Sequence, residues 1–222
     1  GMDLSRFDDV RLLPPAALEG ETERYRKACE AASGEVAAVQ SSFEKKVGKT
    51  YAAIFEAHLW MLKDPQMHAE VLRRIREQRF NAEYAVSRAF RRYAWMFRSM
   101  GDEHLSLRVS DLYDVEKRLL RHLLGQKRET LTTLTDPVII LAHDLTPSQT
   151  ASLDPKKVIG FATDVGGRTS HTAIVARALE IPAVVGLGTA STDISGGDRI
   201  VIDGNRGVVI ISPDGETLKK YE

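Results

Sequence analysis

The sequence predicts two domains of different class, one built from helices and one of mixed α/β type. Up to about residue 125, glycine and proline are sparse and charged residues are dense. Beyond that point, valine, isoleucine and glycine cluster in short runs. Hydrophobic residues recur every three or four positions in the first part, as on one face of a helix, and in short continuous runs in the second. The change in pattern near residue 125 therefore indicates a boundary between two fold classes.

The helices of the first part follow from this spacing. Val86, Phe90, Tyr93 and Phe97 recur at intervals of four, three and four residues, which places them on one helical face. Proline favours the start of a helix, aspartate caps one, and glycine commonly ends one. These signals occur at Asp64-Pro65, Gly101-Asp102 and Gly125. Helices are accordingly predicted over residues 16–46, 50–63, 66–78, 81–99 and 102–124.

The second part contains short runs rich in β-branched residues, which favour strands. The turn sequence Asp203-Gly204-Asn205 separates the last two runs, so those two should form a hairpin. Residues Thr172–Glu180 lie between two runs and are predicted to be helical, with Ile181-Pro182 ending that helix. The predicted strands are Val138–Ala142, Val158–Ala162, Ala183–Gly186, Arg199–Asp203 and Val208–Ile211.

Composition excludes several classes of protein. Of 222 residues, 31 are lysine or arginine and 31 are aspartate or glutamate, so the formal net charge is zero. A zero balance argues against a general nucleic-acid binder and leaves room only for local patches. Cys29 is the only cysteine and cannot form an internal disulfide, which suits a reducing compartment. With no run of about 18 apolar residues and no signal-peptide pattern, we expect a cytoplasmic protein that does not span a membrane.

The stretch with the clearest chemical content is Asp164–Ala173, which joins a predicted strand to a predicted helix. Gly166 and Gly167 permit a tight turn, and His171 falls in the first turn of the helix. Backbone N–H groups at a helix start attract an anion, and their positive field favours a neutral, nucleophilic imidazole. This combination suits a histidine that becomes phosphorylated. The candidate phosphate ligands are Gly167, Arg168, Thr169, Ser170 and Thr172.

From spacing alone, other interpretations of this stretch stay open. A glycine pair before a helix is usually only a tight turn, and a histidine near a helix start is often a cap or a solvated side chain. Binding of an anion without catalysis is a further alternative.

A family resemblance extends this interpretation. The run GGRTSHTAIVAR at 166–177, followed by IPAVVG at 181–186, closely resembles the phosphohistidine motif of enzyme I of the phosphoenolpyruvate:sugar phosphotransferase system. Similar matches occur at 144–151, at 160–164 and, in the helical part, at 54–59 and 81–86. The resemblance covers most of residues 20–211.

The resemblance implies an α/β swivelling phosphohistidine domain together with a helical, α-bundle domain that binds a histidine-containing phosphocarrier protein. It implies that residues 1–19 start the α/β domain, that 20–125 form the helical domain and that 126–222 complete the α/β domain. His171 matches the histidine that takes phosphate at Nε2. Thr150 matches the threonine whose hydroxyl bonds and orients that imidazole, so the implied catalytic residues are His171 and Thr150.

The same resemblance implies further parts. In the family, a C-terminal barrel binds phosphoenolpyruvate and Mg²⁺ and provides the strong dimer contacts. We expect this chain, which ends at Glu222, to lack that barrel, to hold no cofactor itself and to be monomeric, while the full-length protein is a homodimer. The family's opening strand is also not found, since the chain begins Met2-Asp3-Leu4-Ser5.

The carrier contact is expected on the helical part, at Phe55, Glu56 and His58. Trp60, Met61, Trp95 and Met96 are expected to be core or interface residues. Many arginines lie on the same part, and they are interpreted either as a solvated basic face or as a sign of a carrier of different charge. No metal site is predicted, because the histidines show no paired ligand spacing with cysteine or acids. The arginines in question are Arg73, Arg74, Arg76, Arg79, Arg88, Arg91, Arg92 and Arg98.

Three competing functions are weighed against this assignment. The first is a swivelling domain of a pyruvate phosphate dikinase or phosphoenolpyruvate synthase, but those usually carry cysteine where Ser170 stands and lack the helical insertion. The second is a regulatory module without phosphotransfer, against which the intact His171, Arg168 and Thr150 argue. The third is nucleic-acid binding through the basic helices, for which the sequence shows no aromatic platform.

Overall fold

The computed structural model describes residues 9–101, 105, 108–126, 136–167, 170–194 and 197–221, with His171 and Asp193 described by their backbone alone. The chain divides into two compact units. The helical unit comprises Gly1–Lys45 and Ala52–Glu129, and the α/β unit comprises Lys46–Tyr51 and Thr130–Glu222. No helix in these described ranges is long and apolar enough to cross a membrane.

The predicted helices are found, with two differences. The helix predicted over 50–63 is divided near Ala53, and the helix predicted over 102–124 is described as a regular helix only from Val109 onward. Residues 102–104 and 106–107 lie outside the described residues. After a short 3₁₀ turn at Pro15–Ala17, the helices are α1 (Leu18–Val47), α2 (Lys49–Ala52), α3 (Ile54–Lys63), α4 (Pro65–Arg76), α5 (Ala82–Ser99) and α6 (Val109–Leu123).

The core of the helical unit lies where α5 packs against α4 and α6. Val86 and Phe90 are buried as their spacing predicted, and Leu112 and Leu119 of α6 are buried with them. Asp64 caps α4 as expected, since its carboxylate accepts hydrogen bonds from the N–H groups at the start of that helix. The spacing of hydrophobic residues thus identifies the buried face of α5 correctly.

A partly buried ion pair fixes α1 against the start of α5. Both guanidinium Nη atoms of Arg24 donate to the Glu83 carboxylate, at 2.8 and 2.7 Å. Asn81 also donates to Glu83, and Glu21 accepts from the N–H of Ala82. Because Glu83 is buried, this bidentate pairing supplies the compensation that a buried carboxylate requires.

The segment 9–19 differs from the expectation that it begins the α/β domain. Leu12 forms an isolated antiparallel bridge with Phe80, and the N–H of Leu13 donates to the carbonyl of Arg79 at 2.8 Å. The N–H of Arg11 likewise donates to Asn81. These hydrogen bonds hold the described part of the segment against the α4–α5 connection in the helical unit.

The α/β unit contains a parallel three-stranded sheet and a separate hairpin. In the sheet, β1 (Val138–Ala142) pairs with β2 (Val158–Thr163), which pairs with β3 (Ala183–Val185). The hairpin of β4 (Ile200–Asp203) and β5 (Val208–Ile211) is antiparallel, as its turn sequence predicted. The helices that follow β1 in this unit are α7 (Pro147–Ala151), α8 (His171–Ala178), α9 (Ala190–Asp193) and α10 (Gly215–Tyr221).

The hairpin packs closely on the sheet at two glycines. A Cβ at Gly160 of β2 would lie 3.6 Å from Cδ1 of Ile202, and a Cβ at Gly204 would lie only 3.1 Å from the backbone N of Ala183. Helices α7 and α8 connect the parallel strands in sequence, so all three strands end at the same edge of the sheet. Loops at that edge commonly form ligand sites in parallel sheets.

Candidate functional site

The loops that follow the three parallel strands are joined by backbone hydrogen bonds. Between the loops that follow β1 and β2, the N–H of Val165 donates to the carbonyl of His143 at 3.1 Å. Between the loops that follow β2 and β3, the N–H of Gly188 donates to the carbonyl of Asp164 at 2.9 Å. The loop that leads from β2 to His171 is therefore held between its two neighbours before it reaches the helix.

Asp164 ties this loop to α9 through its side chain. Its Oδ1 accepts from the N–H of Ser191 at 2.9 Å, and its Oδ2 accepts from the Ser191 hydroxyl. His143 Nδ1 lies 3.3 Å from the same Oδ2. The Asp164 side chain is only 1% exposed, whereas that of His143 is 73% exposed. The hydrogen bonds from the Ser191 hydroxyl and N–H lower the pKa of Asp164, with a smaller contribution from His143, so the group is ionised at neutral pH.

Two glycines allow the neighbouring loops to touch. Gly166 has φ +110° and Gly186 has φ +81°, both in the region that side chains other than glycine rarely adopt. A Cβ at Gly186 would lie 3.0 Å from the carbonyl oxygen of Gly166. Gly167, in contrast, has open space around it, and its carbonyl accepts from the N–H of Ser170 at 2.9 Å. The loop thus closes on itself one residue before α8 begins.

Helix α8 begins at His171, as the sequence predicted to within one residue. Ser170 is its N-cap, with extended backbone and a hydroxyl oxygen that accepts from the N–H of Ala173 at 3.3 Å. His171 therefore occupies the first helical position, where helix geometry leaves backbone N–H groups without partners in the helix. Arg168, Thr169 and the side chain of His171 lie outside the described residues, so the predicted roles of those groups stay predictions.

Two predicted hydroxyls are buried and already bonded. Thr150 lies in α7, is fully buried, and donates its hydroxyl proton to the carbonyl of Thr146 at 2.9 Å. Thr172 is also buried, and its hydroxyl lies 3.1 Å from the carbonyl of Leu145, to which it donates. The Thr172 hydroxyl therefore joins α8 to the loop after β1, which differs from the predicted contact with phosphate. Thr150 keeps lone pairs that can accept a hydrogen bond.

The carrier-contact residues predicted on α3 are divided between core and surface. Phe55 is fully buried, with its ring edge-on to Phe43 at 5.8 Å between centroids. His58 is also fully buried, with Nε2 3.3 Å from Asp111 and Nδ1 3.6 Å from Asp114, both in α6. Only Glu56 of the three is exposed. Phe55 and His58 therefore present no surface to a partner, because packing against α6 and α1 decides which face of this short helix is buried.

Large apolar side chains are exposed on the helical unit instead. Trp60 of α3 is 76% exposed and Trp95 of α5 is 69% exposed. Both belong to the set expected in a core or an interface, and their exposure removes the core alternative. Within the described residues, no group of three or more histidine, cysteine, aspartate or glutamate side chains is arranged to hold a metal ion.

Family comparisons agree with this division of the chain. Residues 4–108 match the N-terminal family of PEP-utilising enzymes, and residues 134–207 match the mobile domain of PEP-utilising enzymes. The second match includes the loop from Asp164 to His171 and the strands that position it.

Individual relatives give the same result. The chain is 44% identical to the phosphoenolpyruvate-protein phosphotransferases of Bacillus sp. (strain S) and Geobacillus stearothermophilus over 207 residues. It spans 36% of the length of each of these relatives and 93% of its own.

Solved structures show the same fold. A solution structure of an enzyme I protein (nEIt) aligns with a TM-score of 0.74 and 42% identity, covering 96% of this chain and 86% of that one. The N-terminal domain of "Enzyme 1 - Nitrogen" aligns over the whole chain and 89% of its own length, with a TM-score of 0.63 and 26% identity. The predicted fold class is therefore confirmed, and the chain belongs to the enzyme I family of PEP-utilising phosphotransferases, matching its N-terminal region.

Proposed function

We propose that His171 accepts a phosphoryl group and passes it to a histidine-containing phosphocarrier protein. The observation that carries the proposal is the position of His171 at the first residue of α8, at the end of a loop fixed between the ends of three parallel strands. A phosphorylated side chain at that position lies beside the N-terminal N–H groups of a helix, which favour an anion.

The chemistry consists of two transfers of a phosphoryl group, first from a donor to His171 and then from His171 to the carrier histidine. The lone pair of unprotonated Nε2 on His171 attacks phosphorus in line with the bond to the donor. The donor–phosphorus bond breaks, and its electron pair returns to the donor atom. In the onward step a ring nitrogen of the carrier histidine attacks in the same way, and the electron pair of the N–P bond returns to His171. No net proton transfer is needed in the onward step.

Thr150 supports this chemistry through its unused lone pairs. Its hydroxyl proton is committed to the carbonyl of Thr146, so its oxygen can act toward the His171 ring only as an acceptor. Accepting from Nδ1–H would hold the ring in the tautomer whose Nε2 is unprotonated. This tautomer is the one that the transfer requires.

Phosphate oxygens in this proposal are bound by the loop and the helix start. The hydroxyl oxygen of Ser170 accepts the hydrogen bond of the Ala173 N–H. The N–H groups of His171 and Thr172 are therefore the first-turn donors that can bind phosphate. Arg168 supplies a guanidinium for charge-assisted bonds, with Gly167, Thr169 and Ser170 beside it in the loop. Thr172 contributes through its backbone, since its hydroxyl is bonded to Leu145.

The partners and cofactors of the whole protein are proposed from its similarity to the longer relatives. We assign the binding of phosphoenolpyruvate and Mg²⁺, and homodimerisation, to the C-terminal region that those relatives have beyond the matched part. We also propose that this chain contacts that region. The carrier contact is assigned to the helical unit, with Glu56 as one exposed residue of it. We assign the protein to the cytoplasm, since its only cysteine is buried and unpaired.

The dikinase-like alternative has less support, because the relatives with 44% identity are named phosphoenolpyruvate-protein phosphotransferases and the family match extends over the helical part. A regulatory module that keeps the fold without phosphotransfer makes a different prediction from ours, and one experiment separates the two.

The test measures labelling of His171. A phosphocarrier protein is charged with radiolabelled phosphate by a full-length phosphotransferase, purified, and mixed with the chain. We expect acid-labile label on the parent chain and on the control His122→Ala, and none on His171→Ala, with all three showing the same helical circular dichroism. Full labelling of His171→Ala, or no labelling of the parent, would contradict the proposal.

A further inference from the structure

We propose that His143 is a positioning residue for phosphoryl transfer, which acts by holding Asp164 at the start of the loop that leads to His171. We call the side chains that meet there the Asp164 clamp and define it as His143, Asp164 and Ser191. The inference rests on the proposed function for the reaction that is affected, and it adds a residue of the loop after β1 to that site.

His143 contacts the loop after β2 at two points. Its carbonyl accepts from the N–H of Val165 at 3.1 Å, and Nδ1 of its ring lies 3.3 Å from Oδ2 of Asp164. Asp164 and Val165 directly follow the end of β2 at Thr163. The loop then reaches His171 at the start of α8. One residue of the neighbouring loop therefore contacts both the backbone and a side chain of this loop where it leaves the sheet.

The carboxylate of Asp164 needs the partners that the clamp supplies. Its side chain is only 1% exposed, and a buried carboxylate is costly unless it is paired or hydrogen-bonded. Ser191 donates both its N–H and its hydroxyl, from the side of α9. Among the ion pairs of the described residues, His143 is the only basic side chain that pairs with Asp164. Without the imidazole the carboxylate would keep the Ser191 donors alone, and we expect its position to shift.

The chemistry of the two groups fixes which ring nitrogen carries the proton. An ionised carboxylate can only accept hydrogen bonds, so Nδ1 of His143 must be the donor to Asp164. The side chain of His143 is otherwise largely exposed, at 73%. A single N–H donor therefore carries the proposed effect, and another side chain that places an N–H at the same point should replace it.

The contact differs from a chance pairing of an exposed imidazole with the nearest surface acid. Asp144, the next residue along the chain, is exposed and accepts from the N–H of Leu145 at 2.8 Å. The ring of His143 pairs instead with the buried Asp164. Exposed ion pairs contribute little, partly because two side chains must be ordered. Here Ser191 already orders the carboxylate, so only the imidazole loses conformational freedom.

The site needs such an anchor because transfer depends on alignment. A displacement of about 1 Å of a reacting group can slow a reaction up to roughly a hundredfold. Between Asp164 and His171 the chain passes through Gly166 and Gly167, whose backbones are the least restricted of any residue type. The Asp164 clamp fixes the chain just before these glycines, so the position of the sheet is passed on to His171.

The experiment measures transfer from a radiolabelled, phosphorylated carrier protein to His171 in variants of His143. His143→Ala should lower the rate at saturating carrier about fivefold with KM unchanged, the loss expected for one partly screened hydrogen bond to a charged group. His143→Asn places an amide N–H close to the position of Nδ1–H and should keep roughly half or more of the parent rate. His122→Ala is the matched control, because it removes an imidazole that pairs with Glu35 in the helical unit, and it should transfer at the parent rate.

A double-mutant cycle tests whether His143 acts through Asp164. In the Asp164→Asn background, His143→Ala should slow transfer by less than about twofold, because the charge that the imidazole holds is already absent. Hydrogen exchange at the N–H of Val165 gives a readout that does not depend on activity. It should accelerate about fivefold in His143→Ala and stay at the parent value in His122→Ala.

The outcomes separate this inference from the proposed function. A parent-like rate for His143→Ala, or an equal loss in the parent and Asp164→Asn backgrounds, would overturn the positioning role. Slow transfer by His143→Asn with parent-like exchange at Val165 would assign the effect to the exposed Nε2 and would overturn it as well. If the parent transfers no phosphate, the proposed function fails, and exchange at Val165 in His143→Ala still decides whether His143 holds the loop.

Discussion

The two units keep their charged groups in different places. The helical unit buries Glu83, Asp111, Asp114 and Glu116 between helices and leaves an arginine-rich outer face. In the described part of the α/β unit, the buried carboxylate is Asp164, and it lies at the sheet edge that leads to His171. We therefore expect charge in the helical unit to act mainly through stability, and charge in the α/β unit to act mainly through the proposed site. Substitutions of these groups test this separation.

The largest effect is expected at Glu116, a buried acid of α6. Burial raises its pKa to about 7, and the Ser87 hydroxyl and Arg91 only partly oppose this. Its unfolded pKa is about 4.5, so its contribution to stability is complete below pH 4.5 and is lost as pH rises through 7. Glu116→Gln should therefore raise the free energy of unfolding by on the order of 3 kcal/mol at pH 8 and by little at pH 4. Urea unfolding at both pH values measures it.

Glu70→Gln is the matched control with the opposite sign. Burial would raise the Glu70 pKa, but hydrogen bonds from Arg73 and Arg74 outweigh it and hold the value at about 2. Glu70→Gln should accordingly destabilise the helical unit at pH 7, and the loss should fade as pH falls through 2. Equal responses of both variants to pH would show that the environments of the two carboxylates do not shift their pKa values in opposite directions.

The next largest effect is expected at Arg168, whose proposed role is to bind phosphate. Arg168→Ala should slow phosphoryl transfer about a hundredfold, since charge-assisted bonds to developing charge are strong. Its melting temperature should stay that of the parent, because the role proposed for Arg168 begins only when phosphate is bound. Arg177→Ala, at the exposed end of α8, is the control and should transfer at the parent rate. Parent-rate transfer by Arg168→Ala would remove the phosphate-binding role.

Sequence patterns predicted the parts of this fold that depend on local signals. The strands and the hairpin follow from β-branched runs and one turn sequence, and the long helices follow from hydrophobic spacing. Helices α7, α9 and α10 were not predicted, because four to seven residues give too few turns for a periodic pattern.

Contacts between distant residues could not be predicted from the same patterns. Asp164 stands in the stretch that the sequence singled out, but its anchoring role depends on Ser191, 27 residues away. The burial of Phe55 and His58 depends on Asp111, Asp114 and Phe43 on other helices. Spacing identifies a helix, but the partner helix decides which side of a short one is buried.

Asp164 should affect the transfer rate through the position of the loop. Asp164→Asn removes the negative charge of the carboxylate that accepts a hydrogen bond from the Ser191 hydroxyl and contacts His143. We expect phosphorylation of His171 to slow roughly thirtyfold, since small displacements of a reacting group can reduce rates up to about a hundredfold. Asp214→Asn is the matched control, as Asp214 also accepts a backbone bond at a helix start but stands just before α10, remote in sequence from the loop. A loss of rate in both variants would indicate a general effect on the α/β unit.

The smallest effect is expected at Thr150, and it separates orientation of the imidazole from packing. Thr150→Val keeps the shape of the buried side chain and removes one neutral hydrogen bond, which is worth about 0.5–1.5 kcal/mol, so transfer should slow roughly three- to tenfold. The Thr146 carbonyl still accepts from the N–H of Thr150, so no buried acceptor is left unpaired and melting should change little. Thr150→Ser restores the hydroxyl with one methyl group fewer, and it should recover the rate even if the small cavity lowers the melting temperature. If Ser transfers as slowly as Val, while both melt early, the residue acts by packing α7 against α8 and the hydroxyl does not orient His171.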